Sequence, residues 1–198
     1  AIGSETLFTN TTGTSNAVVG QAALYNNTTG SENTALGQSA LNANTTANDN
    51  VAVGAYALKA TTTGGNNVGV GNSALVANTT GTNHVAVGHY ALSANTTGTN
   101  NVAVGKNSLL SNTTGDDNTA VGYQALDANT TGEYNVAVGK DALKSNATHS
   151  NNTAIGAFAL EYNTAAGNTA GQDLLPPSHL SRLAKKLLCG ASLGHTSW

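Results

Sequence analysis

A glycine recurs every 17 residues, at Gly3, Gly20, Gly37, Gly54, Gly71, Gly88, Gly105, Gly122, Gly139 and Gly156, with no interval broken. A fixed short period means one structural unit stacked many times. The unit reads Asn-Val-Ala-Val-Gly-x-x-Ala-Leu-x-x-Asn-Thr-Thr-Gly-x-x, and residues 101–117, NVAVGKNSLLSNTTGDD, show it with Ser108 in one alanine slot. An aliphatic residue precedes every repeat glycine and a leucine follows four residues after it, from Leu7 to Leu160. Seventeen residues are too few for the paired helices of common helical repeats. Valine favours a short strand and Asn-Thr-Thr-Gly supplies turn chemistry, so the period predicts one turn of an all-β parallel β-solenoid.

Stacking identical coils puts identical residues in columns. One column is Asn16, Asn33, Asn50, Asn67, Asn101, Asn118, Asn135 and Asn152, with His84 in place of asparagine. A second runs from Asn10 to Asn163, interrupted only by Thr61. Amides in register can bond to the coils above and below, as in asparagine ladders. The Asn-Thr-Thr runs also read as glycosylation sequons. Their recurrence at one position favours the ladder.

Alanine occupies the position two before the glycine at Ala35, Ala52, Ala86, Ala103, Ala120, Ala137 and Ala154, as well as at Ala1. In a strand this residue points opposite to its two neighbours. If the larger valines fill the core, the alanines face out as a small apolar column. That predicts close approach to another chain, with cover by a leucine segment of the same chain as the alternative. Aromatic residues fall one or two positions after the glycine, with Tyr56, Tyr90 and Tyr123 within a few coils of each other. They are candidates for stacking on a sugar or packing into a partner, or else surface fillers.

Composition points to a structural protein. Charged residues are 9% of the chain and the net charge is −3, which excludes a large electrostatic footprint for nucleic acid. One cysteine, Cys189, allows no intrachain disulfide. No stretch is long and apolar enough to span a membrane. There is no methionine, so a processed product or excised fragment is expected, with any signal peptide already removed. The five histidines show no metal spacing, the glycines form no phosphate loop, and no catalytic set is suggested by spacing. The chain is therefore read as a non-enzyme with no cofactor and no metal.

The pattern frays after Phe158, and Pro176-Pro177 ends any strand. The reading is a solenoid domain over 1–175 and a C-terminal segment over 176–198. Leucines at helical spacing predict a short amphipathic helix over 179–189. It could cap the solenoid, begin a coiled-coil neck or touch a membrane, or the segment could be foreign to the repeat.

At the level of NVAVG (135–139) and NTAIG (152–156), the chain resembles the head repeats of YadA-like trimeric autotransporter adhesins. NTAVGYQALDANTTG (118–132) is similar to repeats of phage tail fibres and large bacterial surface proteins. The resemblance covers about residues 1–171. It implies a left-handed β-roll, three chains around one axis and attachment to a surface, hence an extracellular location on a bacterial cell or virion. The family's head units are shorter, and the extra residues fall in the Asn-Thr-Thr-Gly turn. The expected function is a structural, adhesive rod with a surface receptor or glycan as partner. The alternatives are an end-to-end filament subunit and an ice-binding solenoid. The threonine columns suggest the last, although adjacent threonines in a strand point to opposite faces.

Overall fold

The structure, a computed structural model, describes residues 1–171. The expected helix over 179–189 lies outside the described residues. Ten three-residue strands form one parallel sheet in sequential order: β1 (Ala17–Val19), β2 (Thr34–Leu36), β3 (Val51–Val53), β4 (Val68–Val70), β5 (Val85–Val87), β6 (Val102–Val104), β7 (Thr119–Val121), β8 (Val136–Val138), β9 (Thr153–Ile155) and β10 (Thr169–Gly171). Equivalent repeat positions pair, as in Ala103↔Ala120, and the repeat predicted from the sequence is one solenoid coil. The last step is one residue short, with Thr153 opposite Thr169.

Pairing continues beyond the strands. In the coil 101–117, the N–H groups of Val102, Leu109 and Thr113 donate to Asn118 O (2.8 Å), Ala125 O (2.9 Å) and Thr130 O (2.9 Å) of the next coil. Those of Gly105 and Asp117 donate back to Val87 O (2.8 Å) and Thr99 O (3.1 Å). The backbone is thus satisfied mainly between coils, which is how so small a unit meets the demand that buried polar groups be paired.

Closing a coil in 17 residues requires sharp corners. Gly105 has φ of 134°, and a Cβ there would lie 2.5 Å from Gly122 O and 2.7 Å from its carbonyl carbon. Three further corners use ordinary residues in the left-handed region: Asn107 (φ 59°), Leu109 (φ 49°) and Asp117 (φ 56°), with equivalents in the other coils. A left-handed residue other than glycine costs roughly 1–2 kcal/mol. Burying a leucine recovers about 1.5–3 kcal/mol, so Leu109 retains a small surplus despite its strained backbone.

The core corrects one expectation. Ala35, Ala52, Ala86, Ala103, Ala120, Ala137 and Ala154 are fully buried within the chain itself, and the flanking valines point outward. In β5, Val85 and Val87 are 37% and 36% exposed while Ala86 is 0% exposed. The reason is room. At Gly69, in the alanine column, an added Cβ would sit 3.2 Å from Leu58 Cγ. The leucine column already fills the interior, so a methyl group is the largest side chain the strand can send inward. The leucines from Leu24 to Leu143 are fully buried, as the pattern predicted.

Candidate functional site

Two surfaces of the coil carry side chains beyond what the fold consumes: the outer strand face and the variable corner after the repeat glycine. The polar columns, by contrast, are used internally. Asn112 Nδ2 donates to Asn95 Oδ1 (3.0 Å) and to Gly115 O (3.0 Å), while Asn112 Oδ1 accepts from Asn129 Nδ2 (2.8 Å). Both ends of the amide are therefore engaged in a buried ladder, and the sequon reading gives way to it at this position. Where Thr61 replaces asparagine, Asn78 Nδ2 reaches its hydroxyl only at 3.4 Å.

The other asparagine column works as a splint. Asn101 Nδ2 donates to Gly115 O (2.8 Å), and Asn101 Oδ1 accepts the N–H of Asn118 (2.9 Å). His84 repeats this scheme with a ring. Its Nε2 lies 2.7 Å from Gly98 O and its Nδ1 accepts the N–H of Asn101 at 3.2 Å. Those partners require the tautomer with the proton on Nε2. Asn95 Nδ2, 3.1 Å from Nε2, is itself a donor to Gly98 O and makes no hydrogen bond to the ring. His84 is buried, and burial pushes its pKa down to about 4. Both ring nitrogens are occupied by the chain, so His84 has no lone pair free for a metal.

The first threonine of each turn is also structural. Thr96, Thr113 and Thr130 donate their hydroxyls to the carbonyls of Thr113 (3.1 Å), Thr130 (3.1 Å) and Ala147 (3.0 Å). The ice-binding alternative loses that column as a presenting surface, and the second threonine alone, as at Thr114, is exposed.

The outer strand face is a different matter. The pairs Val51/Val53, Val68/Val70, Val85/Val87, Val102/Val104 and Val136/Val138 stand outward in register, with Thr119/Val121 and Thr153/Ile155 continuing the columns. No segment of the described chain covers them fully, and Val19, Leu36 and Ile155 are 43%, 38% and 51% exposed. The sequence reading put the alanines on the outer side of each strand; the structure puts the valines and threonines there.

At the corner, Tyr56 is half-buried and Tyr90 and Tyr123 are exposed, at 41% and 42%. Tyr56 carries Lys59 Nζ 5.4 Å from its ring centre, and the His89 ring lies 4.1 Å from that of Tyr90. Farther along, the Lys140 and Lys144 ammonium groups converge on the buried Asp141 carboxylate at 2.6 and 3.1 Å. Burial raises the Asp141 pKa, but the two lysines outweigh it and hold the carboxyl below its ordinary value. The Asp141 charge is thus paired within the chain. Among the described residues no three histidine, cysteine or acidic side chains are grouped to hold a metal, and no helix is long and apolar enough to cross a membrane.

Comparison of the chain with protein-family models, with curated proteins and with solved structures finds no match in any of the three.

Proposed function

We propose that this chain is a non-catalytic, extracellular structural rod that presents a surface for attachment and associates side by side with further copies of itself, three chains around one axis. The observation that carries the reading is the outward valine columns. A sheet face of this kind facing water is normally polar. Here the interior holds the leucine and alanine columns and the asparagine ladders, while valines line the outer strand face, an apolar exposure that favours a protein partner along the rod. The low charge leaves little electrostatic repulsion against such packing. The resemblance of NTAVG-type units to adhesin heads and tail-fibre repeats supports the trimer, the left-handed winding and the location on a cell surface or virion.

Sedimentation equilibrium tests it. The wild-type chain is expected to run as a discrete oligomer, and Val87→Lys combined with Val121→Lys to run as a folded monomer. A wild-type chain that stays monomeric at tens of micromolar while fully folded would overturn the proposal. Electron microscopy of the same sample separates a discrete trimer from an end-to-end filament.

A further inference from the structure

The corner after the repeat glycine has an alternation of its own. Tyr56, Tyr90 and Phe158 share one position of the repeat, and Tyr123 stands one residue earlier in its coil. From the coil of Gly54 to that of Gly156, aromatic rings therefore appear in every second coil. The coils between them carry Ser73, Asn107 and Asp141 at the same position. Strand spacing of about 4.8 Å puts successive rings about 10 Å apart along the axis. The three rings beyond Tyr56 are exposed, Phe158 at 37%. Lys140 Nζ lies 4.3 Å from the centre of the Phe158 ring.

We infer that this corner strip binds an extended β-1,4-linked polysaccharide, with alternate sugars stacked on the rings of Tyr56, Tyr90, Tyr123 and Phe158. An extended β-1,4 chain turns each sugar over relative to the last, so the same apolar sugar face returns once per disaccharide, a length that matches the two-coil interval. Aromatic faces receive the C–H face of a sugar. A curled α-1,4 chain cannot keep that register. The strip lies at the corner and the valine columns on the strands, so lateral packing and glycan binding use different parts of each coil. The inference rests on the rod reading for its biological sense, as the ligand an attachment surface would take.

Isothermal titration of the assembled full chain with cellohexaose, chitohexaose and maltohexaose tests it. Binding of one or both β-1,4 hexamers is expected, the preferred one identifying glucose or N-acetylglucosamine as the source, with none of the α-1,4 control. Tyr90→Asn and Tyr56→Asn should each weaken binding roughly two- to tenfold. Asparagine already holds this left-handed corner at Asn107, so folding is retained. Tyr90→Phe should bind as the wild type does. Absence of binding to either β-1,4 hexamer, equal binding of maltohexaose, or full affinity in the Tyr56→Asn, Tyr90→Asn double variant overturns the inference. Sedimentation of the same samples reports the rod assembly separately, so a failed titration with the oligomer intact rejects the glycan and leaves the rod.

Discussion

His84 makes one coil of the solenoid sensitive to pH, and the size of the effect follows from its surroundings. The neutral ring bridges Gly98 O, near the end of its own coil, and the N–H of Asn101, at the start of the next. A proton on Nδ1 would set a donor against the Asn101 N–H and place a charge in a site without solvent. Asp116 favours the charged form but does not outweigh burial, and the folded pKa falls to about 4 from 6.5. Because the folded pKa is depressed, the unfolded chain binds the extra proton first. The stability is therefore fully present above pH 6.5 and drains away as pH falls toward 4, levelling off below. A difference of that size corresponds to about 3 kcal/mol in full, and to about 2 kcal/mol between pH 7.5 and pH 5. His84→Asn removes the titration while keeping the bonds, since Asn67 makes the same pair with Gly81 O (3.0 Å) and the His84 N–H (3.0 Å). Urea unfolding of both chains at pH 7.5 and pH 5 isolates the difference from the carboxylates they share. Native-state exchange of the Asn101 amide localises it. The wild type should lose about 2 kcal/mol more than His84→Asn on acidification. Equal losses in the two chains would refute the buried, neutral imidazole.

Thr61→Asn should complete the interrupted ladder by supplying donors toward Asn44 Oδ1 and Gly64 O, raising stability by about 1–2 kcal/mol in thermal unfolding. Gly105→Ala should destabilise by several kcal/mol, because the new methyl group meets the Gly122 carbonyl and φ is 134°. The same change at Gly167, where nothing lies within 4 Å, should cost only the strain of its φ of 72°. Ala103→Arg should unfold the coil around it, losing circular dichroism signal and melting cooperativity, rather than yield a folded monomer.

The solenoid itself was legible because the period leaves little choice: the repeat glycines from Gly3 to Gly139 fall at corners where a side chain would strike the next coil, and both asparagine columns form the contacts their spacing implied. The direction of the strand side chains was not. Alternation fixes that Ala103 and Val104 point to opposite faces, and size alone suggested that valine goes in. What decides it is the leucine column, which reaches across the interior and leaves only methyl-sized space beneath the strand, a tertiary fact invisible to a local pattern. The left-handed corners were missed for a similar reason. Leucine at Leu109 carries no turn signal, and only burial across the coil stabilises its backbone there. Of the candidate residues, Tyr90 and Tyr123 are exposed and Tyr56 is half-buried, the alanines lie in the interior, and the valine face went unnoticed because it had been assigned to the core.

Single cysteines at adjacent positions of β6 test the central claim most directly. In a Cys189→Ser background, Val104→Cys places a thiol on the outer face and Ala103→Cys places one in the interior. Mild oxidation of the native assembly should join chains through Val104→Cys into covalent dimers, and a bulky maleimide should label that thiol when chains are diluted apart. Ala103→Cys should remain unlinked and unlabelled until the protein is unfolded. Cross-linking and labelling at position 103 with protection at position 104 would invert the strands, return the alanines to the surface, and contradict both the polar-ladder core and the valine face built upon it.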